Sequence, residues 1–449
     1  MLLQGRASGS GTTRHYAMSE DNHGITREQQ VRDIAARLGV ADFVYFAPPV
    51  SKGAAQREVA GDGLLLVGKR GAILQVKARD PVKSANDSAD RARAWVVKHA
   101  AKAVAQGLGT KRELARRQAM GTPMVVFPVR AADLSPEARL KYKCLVDQDT
   151  RDWPVIVILD HPQMPEVDLG SKPGVVWFAF DDWWELQRRL RSVSATIDYI
   201  SRALRDGLRV PLLQEARRYA MLRTADENAV AASGVGVPYL AHPDDFDELG
   251  TDLFHDIIDK VWPDDGIIPW RSVDEYRAIV EFLDAVPPQI QSVVGRWVLR
   301  KRSEILREQK VSSGLVSLDF RDRLVFMCSH YRYWSDVKQW LGEIALLTAL
   351  RHFQALESGA SEDTKTLGVA ALVEERGGRV GVSYTFFMLT GSKACPEIPA
   401  DLRRSLEFRF GIYDHEAGAT RELEVGLDEA CPCMSGKSFG SCCGAGHKS

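Results

Sequence analysis

The alternation of apolar and polar positions divides the first 220 residues into strands and helices. Apolar residues at helical spacing follow Thr26 and predict a helix over 27–38, which ends at Gly39. The strand-like runs GLLLV and AILQVKA flank a turn signal at 68–71 and predict a β-hairpin. Further helices are predicted at 87–106 and 182–206, and between them lie the short apolar runs MVVFPVR, PVIVIL and VVWFAF. Apolar strands that alternate with helices predict an α/β domain.

The pattern becomes irregular after residue 220. We interpret 221–245 as a linker and 246–428 as an α+β domain of unknown role, helical to about residue 356 and rich in strands after it. Residues 1–23 are rich in Gly, Ser and Thr, and we expect a disordered tail there. The first domain therefore spans 24–220, and 429–449 form a separate C-terminal segment.

Composition and charge narrow the class of protein. The chain has 449 residues, of which 45% are hydrophobic and 27% charged, as expected for two or three globular domains. No apolar run is long enough to span a bilayer, so we expect no membrane association. Residues 24–220 carry a formal charge of +9 and residues 221–449 carry −10, which together give the net charge of −1. The basic first half suggests a polyanionic partner, unless surface charge is segregated by chance.

Cysteine usage points to a metal rather than to disulfides. Four of the seven cysteines lie in the last nineteen residues, and the other three are far apart in sequence. Widely spaced single thiols do not form a disulfide framework, so we expect a reducing, cytoplasmic location. The close pairs Cys431 with Cys433 and Cys442 with Cys443 supply the four thiolates of a structural Zn²⁺ site.

The same segment resembles the SEC-C motif. The matching features are the CPC run at 431–433, the SGK run at 435–437, Phe439 and the adjacent cysteines at 442–443. In that family the zinc knob ends the bacterial SecA translocase and is appended to many unrelated proteins. The resemblance therefore implies a protein-docking device rather than a catalyst, and so short a segment would depend on zinc for its fold.

A second set of polar residues lies on the predicted hairpin. If the turn centres on residues 69–70, Asp62 faces Lys77 and Leu64 faces Gln75. Strand alternation then places Asp62, Gln75 and Lys77 on one face, with residues 74 and 76 pointing into the core. Asp62 and the side-chain oxygen of Gln75 can hold Mg²⁺ or Mn²⁺, and Lys77 can orient or help to deprotonate a water. Glu58 or Glu28 could supply a further carboxylate.

This hairpin resembles the centre of the PD-(D/E)XK restriction-endonuclease-like superfamily. The match rests on Asp62, the glycine at position 71 and Gln75-Val76-Lys77, between a preceding and a following helix. Gln in place of the second acid resembles the branch of Mrr-type restriction enzymes and NERD-domain relatives. The chain departs from the family pattern in two ways, since Gly61 replaces the frequent Pro and the neutral Gln75 gives the metal one charge less. The alternative is that these residues form the solvent-exposed face of an ordinary hairpin.

Basic residues follow the hairpin. The segment 91–118 has eight Lys and Arg residues and one acid. Such a cluster would neutralise phosphates without reading sequence. The predicted phosphate contacts are Arg79, Arg91, Arg93, Lys98 and Lys102. The alternative is a solvated helix and loop.

Together these features predict an α/β restriction-endonuclease-like domain, an α+β domain and a zinc knob. The function they favour is Mg²⁺-dependent hydrolysis of DNA by an endonuclease, in defence or repair, with a protein partner docked on the knob. One alternative is an inactive nuclease fold that binds nucleic acid or protein. Another is an accessory factor of protein export or quality control that acts through the knob.

Overall fold

The computed structural model describes residues 23–46, 50–52, 55–57, 62–233, 238–240, 242, 247–261, 272–308, 314–319, 322–330, 334–361, 363–376 and 379–391. These residues fall into two compact units, one within 1–188 and 197–219 and the other within 189–196 and 220–449. Among them, no helix is both long enough and apolar enough to cross a membrane.

The first part of the chain combines a mixed sheet with helices. Its elements are α1 (His23–Leu38), β1 (Val44–Phe46), β2 (Val50–Lys52), β3 (Ala55–Arg57), β4 (Gly63–Val67), β5 (Arg70–Ala78), α2 (Pro81–Ser84), α3 (Ala89–Ala119), β6 (Met124–Pro128), α4 (Pro136–Leu140), β7 (Cys144–Val146), β8 (Val155–Asp160), β9 (Val175–Ala179), α5 (Phe180–Leu190), α6 (Val193–Arg205) and α7 (Glu215–Ser233).

Seven strands form one mixed sheet in the order β7-β6-β1-β4-β5-β8-β9. β5 lies near its centre, antiparallel to β4 and parallel to β8, which is itself parallel to β9. Every residue of β4 is buried, as are the first five of β8. The expected α/β class is confirmed, because buried strands and helices alternate along this part of the chain.

The two faces of the sheet carry different helices. α3 packs on one face through small and apolar residues that include Val96, Ala100 and Ala103, next to Leu64 and Ile73 of the hairpin. Toward α1, on the other face, a Cβ atom on Gly63 would lie 3.1 Å from Cδ of Arg32 and 3.3 Å from Cδ1 of Leu74. Odd-numbered residues of β5 therefore face α3, and even-numbered residues face α1.

Several predicted boundaries differ from the structure. α1 begins at His23, so Thr26 lies inside its first turn instead of capping it. α3 continues thirteen residues beyond the predicted end at residue 106. The predicted helix over 182–206 is two helices, α5 and α6, separated at Arg191, which has a φ of +50°. α7 occupies 221–233 of the range predicted as a linker, so that part of the range is helical.

A buried ionic cluster links α6 and α7. The guanidinium of Arg218 contacts the carboxylate of Glu215, and the hydroxyl of Tyr199 donates to the same carboxylate. Both ionic side chains are almost fully buried. Burial raises the pKa of Glu215, against the lowering effect of Arg218. The cluster therefore joins the two helices through charges that are shielded from water.

The second unit contains helices and a separate sheet. Its remaining elements are α8 (Glu248–Asp259), α9 (Val273–Asp284), α10 (Pro288–Glu308), β10 (Gly314–Asp319), β11 (Arg323–His330), α11 (Trp334–Glu357), β12 (Lys365–Arg376) and β13 (Arg379–Thr390). The sheet has the order β10-β11-β12-β13, and the parallel strands β11 and β12 are joined through α11. The prediction that this region is helical to residue 356 is wrong, because β10 and β11 form a hairpin at 314–330.

Candidate active site at the carboxyl end of the central strands

Asp62, Gln75 and Lys77 come together where β4 begins and β5 ends. Oδ2 of Asp62 accepts a hydrogen bond of 2.5 Å from the backbone N–H of Val76. The same oxygen lies 3.6 Å from Nζ of Lys77. The backbone N–H of Asp62 donates to the carbonyl of Leu74 at 3.3 Å, which continues the hairpin by one residue. Asp62 and Lys77 are therefore in contact across two neighbouring strands.

The predicted register of the hairpin is wrong by two residues. Leu64 pairs with Ile73 instead of Gln75, and Val67 pairs with Arg70 around a turn at Gly68 and Lys69. Gly68 has a φ of +56°, which favours glycine at this position. Because side chains alternate with a period of two, a two-residue shift leaves every side chain on the face that was predicted.

The alternative of a solvent-exposed hairpin face is also wrong. Asp62 is 9% exposed and Gln75 is 1% exposed. A Cβ atom on Gly107 of α3 would lie 3.2 Å from Cγ of Gln75, so this polar side chain is covered by the long helix. Polar groups this deeply buried need specific partners to offset the loss of hydration.

The electrostatic environment of Asp62 is dominated by burial, which raises the pKa of its carboxyl group. The positive charge of Lys77, the hydrogen bond from the N–H of Val76 and the charge of Arg32 all act in the opposite direction. Arg32 also donates to the backbone carbonyl of Asp62. Asp62 is thus a buried carboxylate that a cation would stabilise.

The oxygen atoms near Asp62 are of the types that bind a hard cation. Nε2 of Gln75 donates to the carbonyl of Leu74 at 3.0 Å, which directs the amide nitrogen to the backbone and leaves the amide oxygen as the ligand atom. The carbonyl of Val76 accepts from Nζ of Lys77 at 2.7 Å. Carboxylate, amide and carbonyl oxygens suit Mg²⁺. No group of three or more His, Cys, Asp or Glu side chains is arranged for a metal within the described ranges.

Glu58 and Glu28 are the two further carboxylates predicted for the centre. Glu58 lies outside the described residues. Glu28 is half-buried on α1, and that helix packs on the face of the sheet opposite to Lys77. The structure thus brings together Asp62, Gln75 and Lys77, and a role for Glu28 stays a prediction.

Two histidines and an acid that the sequence did not single out as site residues lie beside this centre. His161 directly follows β8, and its fully buried ring has Nε2 3.4 Å from Oδ2 of Asp87. The same carboxylate oxygen is 3.4 Å from Nη2 of Arg79. Trp95 of α3 stacks on His99 at 4.4 Å and lies 5.3 Å from the ring of His161. The one sequence signal for this group was the position of His161 at the end of an apolar strand.

Four of the five predicted phosphate contacts lie on α3, where they divide into two sets. At about 3.6 residues per turn, Arg91, Lys98 and Lys102 lie within roughly 40° of one another, whereas Arg93 lies roughly 140–180° away. All four side chains are exposed. The pKa of His99 is lowered by burial first and then by the charges of Lys102, Lys98, Lys77 and Arg79. We call Arg91, Lys98 and Lys102 the basic stripe, and the charges of two of its members act on His99 together with that of Lys77.

The zinc-knob cysteines lie outside the described residues, as does Cys395. Cys328 is a buried free thiol. Comparison of the chain with protein-family models, with curated proteins and with solved structures found no match.

Proposed function

We propose that this protein is a Mg²⁺- or Mn²⁺-dependent endonuclease that hydrolyses phosphodiester bonds of DNA. The observation that carries the proposal is the contact of Asp62 with Lys77 at 3.6 Å, beside the buried amide of Gln75. A carboxylate, an amide and an ammonium group on two adjacent strands are the residues that the superfamily resemblance assigns to catalysis.

Each residue has a chemical role in this proposal. Asp62 and the amide oxygen of Gln75 hold the cation, which when bound polarises a phosphodiester oxygen and lowers the pKa of a water. Lys77 orients that water, because its ammonium group is fixed between the carbonyl of Val76 and the carboxylate of Asp62. The neutral Gln75 supplies a ligand without a charge, so of these three residues only Asp62 supplies a negative charge.

The basic stripe supports DNA as the substrate. Its members share one side of α3, and the charges of Lys98, Lys102 and Lys77 all act on His99. Lysine and arginine side chains that neutralise phosphates bind the backbone irrespective of base sequence. The proposal therefore includes phosphate contacts but no base readout.

Cleavage of supercoiled plasmid by the purified full chain tests this function. We expect nicked or linear products with Mg²⁺ or Mn²⁺ and none with EDTA. Lys77→Ala should abolish cleavage and preserve DNA binding, whereas the matched control Lys83→Ala, at an exposed lysine outside the centre, should cleave like the wild type. Cleavage that survives Lys77→Ala would refute the assigned centre. Binding without cleavage under either metal would favour an inactive nuclease fold that acts as an adaptor.

The zinc knob is the second part of the proposal. The four cysteines at 431, 433, 442 and 443 would hold one Zn²⁺ and present a surface for a protein partner. Replacing Cys442 and Cys443 by serine should release the zinc and leave plasmid cleavage intact, whereas Cys144→Ser should retain the metal. Unchanged zinc content in the double variant would refute the knob. Loss of a partner together with the zinc, from a chain that neither cuts nor binds DNA, would favour an accessory factor of protein export or quality control.

A further inference from the structure

Asp87 connects the ends of two parallel strands. Its Oδ2 atom lies 3.4 Å from Nη2 of Arg79, just after β5, and 3.4 Å from Nε2 of His161, just after β8. The backbone N–H of Asp87 donates to the carbonyl of Ser84 at 2.9 Å, and the next residue, Ser88, caps α3. One carboxylate on a fixed backbone therefore contacts a guanidinium and an imidazole.

The tautomer of His161 follows from its second contact. Nδ1 accepts a hydrogen bond of 3.1 Å from the backbone N–H of Gln163, so the proton of the neutral ring is on Nε2, toward Asp87. A metal on Nε2 would need the proton on Nδ1, and the hydrogen bond to Gln163 would be lost. His161 therefore presents Nε2 toward Oδ2 of Asp87 at 3.4 Å, a contact that lacks regular hydrogen-bond geometry.

Arg79 is held on the side of the sheet where Lys77 lies. Its side chain is 30% exposed, and besides Asp87 it contacts the carbonyl of Lys83 at 3.4 Å. The charges of Arg79 and Lys77 both lower the pKa of His99, after the larger effect of burial. The guanidinium is thus restrained through Nη2, and the exposed part of the side chain can contact a ligand.

We infer that Asp87 is a positioning residue that acts through Arg79 on a DNA phosphate next to Lys77, and that His161 holds Asp87 in place. The inference rests on the proposed function in so far as the ligand is the phosphodiester backbone of DNA. A carboxylate near DNA weakens binding by charge repulsion alone. A favourable effect of Asp87 on binding must therefore come through the orientation of Arg79.

A double-mutant cycle on DNA binding tests the inference. Full-length wild type, Asp87→Ala, Arg79→Ala and the double variant are titrated by fluorescence anisotropy with a labelled DNA duplex in EDTA, so that no cleavage occurs. We expect Asp87→Ala to weaken binding about tenfold in the wild type and less than about twofold in the Arg79→Ala background, because contacting residues couple. Arg79→Ala should lower the magnitude of the slope of log K against log salt by about 0.9.

Asp90→Ala is the matched control, because Asp90 is an exposed acid in the first turn of α3. Its removal changes the charge of the same region and should leave binding unchanged or slightly tighter. Asp87→Asn retains an oxygen next to Arg79 and His161 but removes the negative charge. It should weaken DNA binding by about threefold, and its effect should depend on Arg79 in the same way. If Asp87→Ala fails to fold, as judged by thermal unfolding, the Asp87→Asn cycle decides.

Additive effects of Asp87 and Arg79, or an Asp87→Ala variant that binds as tightly as Asp90→Ala, would overturn the inference. So would a wild-type protein that does not bind the duplex at low salt. Plasmid cleavage is measured separately. If the protein cleaves DNA with metal but the effects of Asp87 and Arg79 on binding are additive, the positioning role of Asp87 is refuted and the nuclease function stands. If the two residues are coupled in binding but no cleavage occurs, the nuclease function is refuted and the positioning role stands.

Discussion

Replacing Gly107 by alanine tests the contact of α3 with the central sheet. A Cβ atom on Gly107 would lie 2.3 Å from Cγ1 of Val155 and 3.2 Å from Cγ of Gln75. Val155 is fully buried and β-branched, so its side chain has little freedom to turn away. Alanine at position 107 must therefore push α3 away from the strands at the point where Gln75 is held.

The expected change in stability combines two opposing terms. Overpacking of a core contact costs about 1–3 kcal/mol, and alanine in place of glycine inside a helix gains about 1 kcal/mol. The free energy of unfolding should therefore fall by about 0–2 kcal/mol. Gly109 provides a matched control on the same helix, because the nearest atom to its Cβ would be the flexible Nη2 of Arg112 at 3.9 Å. Gly109→Ala should gain about 1 kcal/mol, so the difference between the two variants isolates the overpacking term of about 1–3 kcal/mol.

Urea unfolding followed by tryptophan fluorescence measures both variants. Combining Gly107→Ala with Val155→Ala should recover part of the loss, because the smaller side chain on β8 makes room for the new methyl group. Gly107→Ala that stabilises the protein as much as Gly109→Ala would refute the close approach of α3 to β8. Additive effects of the two substitutions in the double variant would do the same.

Three further predictions concern charge. Asp62→Asn should raise the free energy of unfolding at pH 7, because burial raises the folded-state pKa of Asp62 above its ordinary value of 3.8 and the ionised form then costs stability. In urea unfolding, the gain in stability of Asp62→Asn over the wild type should shrink as the pH falls toward 3.8. A larger gain at acid pH would contradict this explanation. Arg218→Ala should lower the free energy of unfolding by about 3–5 kcal/mol, because it leaves the buried carboxylate of Glu215 unpaired. Arg223→Ala removes a more exposed ion pair of the same helix and should lower it by less than about 1 kcal/mol. Similar losses in the two variants would argue against the buried cluster. In anisotropy titrations with duplex DNA, Lys98→Ala should lower the magnitude of the slope of log K against log salt by about 0.9, and Arg93→Ala should lower it by clearly less. Equal slopes for the two variants would refute the basic stripe as the surface that contacts phosphates.

The hairpin illustrates what local sequence can predict. Alternation with a period of two was enough to place Asp62, Gln75 and Lys77 on one face, even though the register was wrong. The register failed because the turn signal contains two glycines with different roles. Gly68 forms the turn, whereas a Cβ atom on Gly71 would lie 2.7 Å from the ring of Trp153. The second glycine is required by a tertiary contact that the local pattern does not contain.

The helices were misjudged for a similar reason. From the local sequence, Gly107 predicts the end of a helix. It lies inside α3 instead, and glycine is needed there because the helix passes close to β8. The break between α5 and α6 depends on Asp284, whose carboxylate accepts hydrogen bonds of 3.0 and 2.7 Å from the backbone N–H groups of Val193 and Ser194. A cap supplied by a residue ninety positions away leaves no local signal at the break. The contact of Asp87 with His161 also joins residues far apart in sequence, and it was missed for that reason.

The position of β5 within the sheet determines how the proposed centre can move. β5 carries Gln75 and Lys77 and pairs with β4 on one side and β8 on the other. Amide hydrogens in such a central strand exchange with solvent only through large opening events, close to global unfolding in free energy. Gln75 and Lys77 therefore lie on a part of the backbone that stays closed during ordinary fluctuations. Accommodation of substrates of different shape would fall to the exposed side chains of α3, which can change rotamer within nanoseconds.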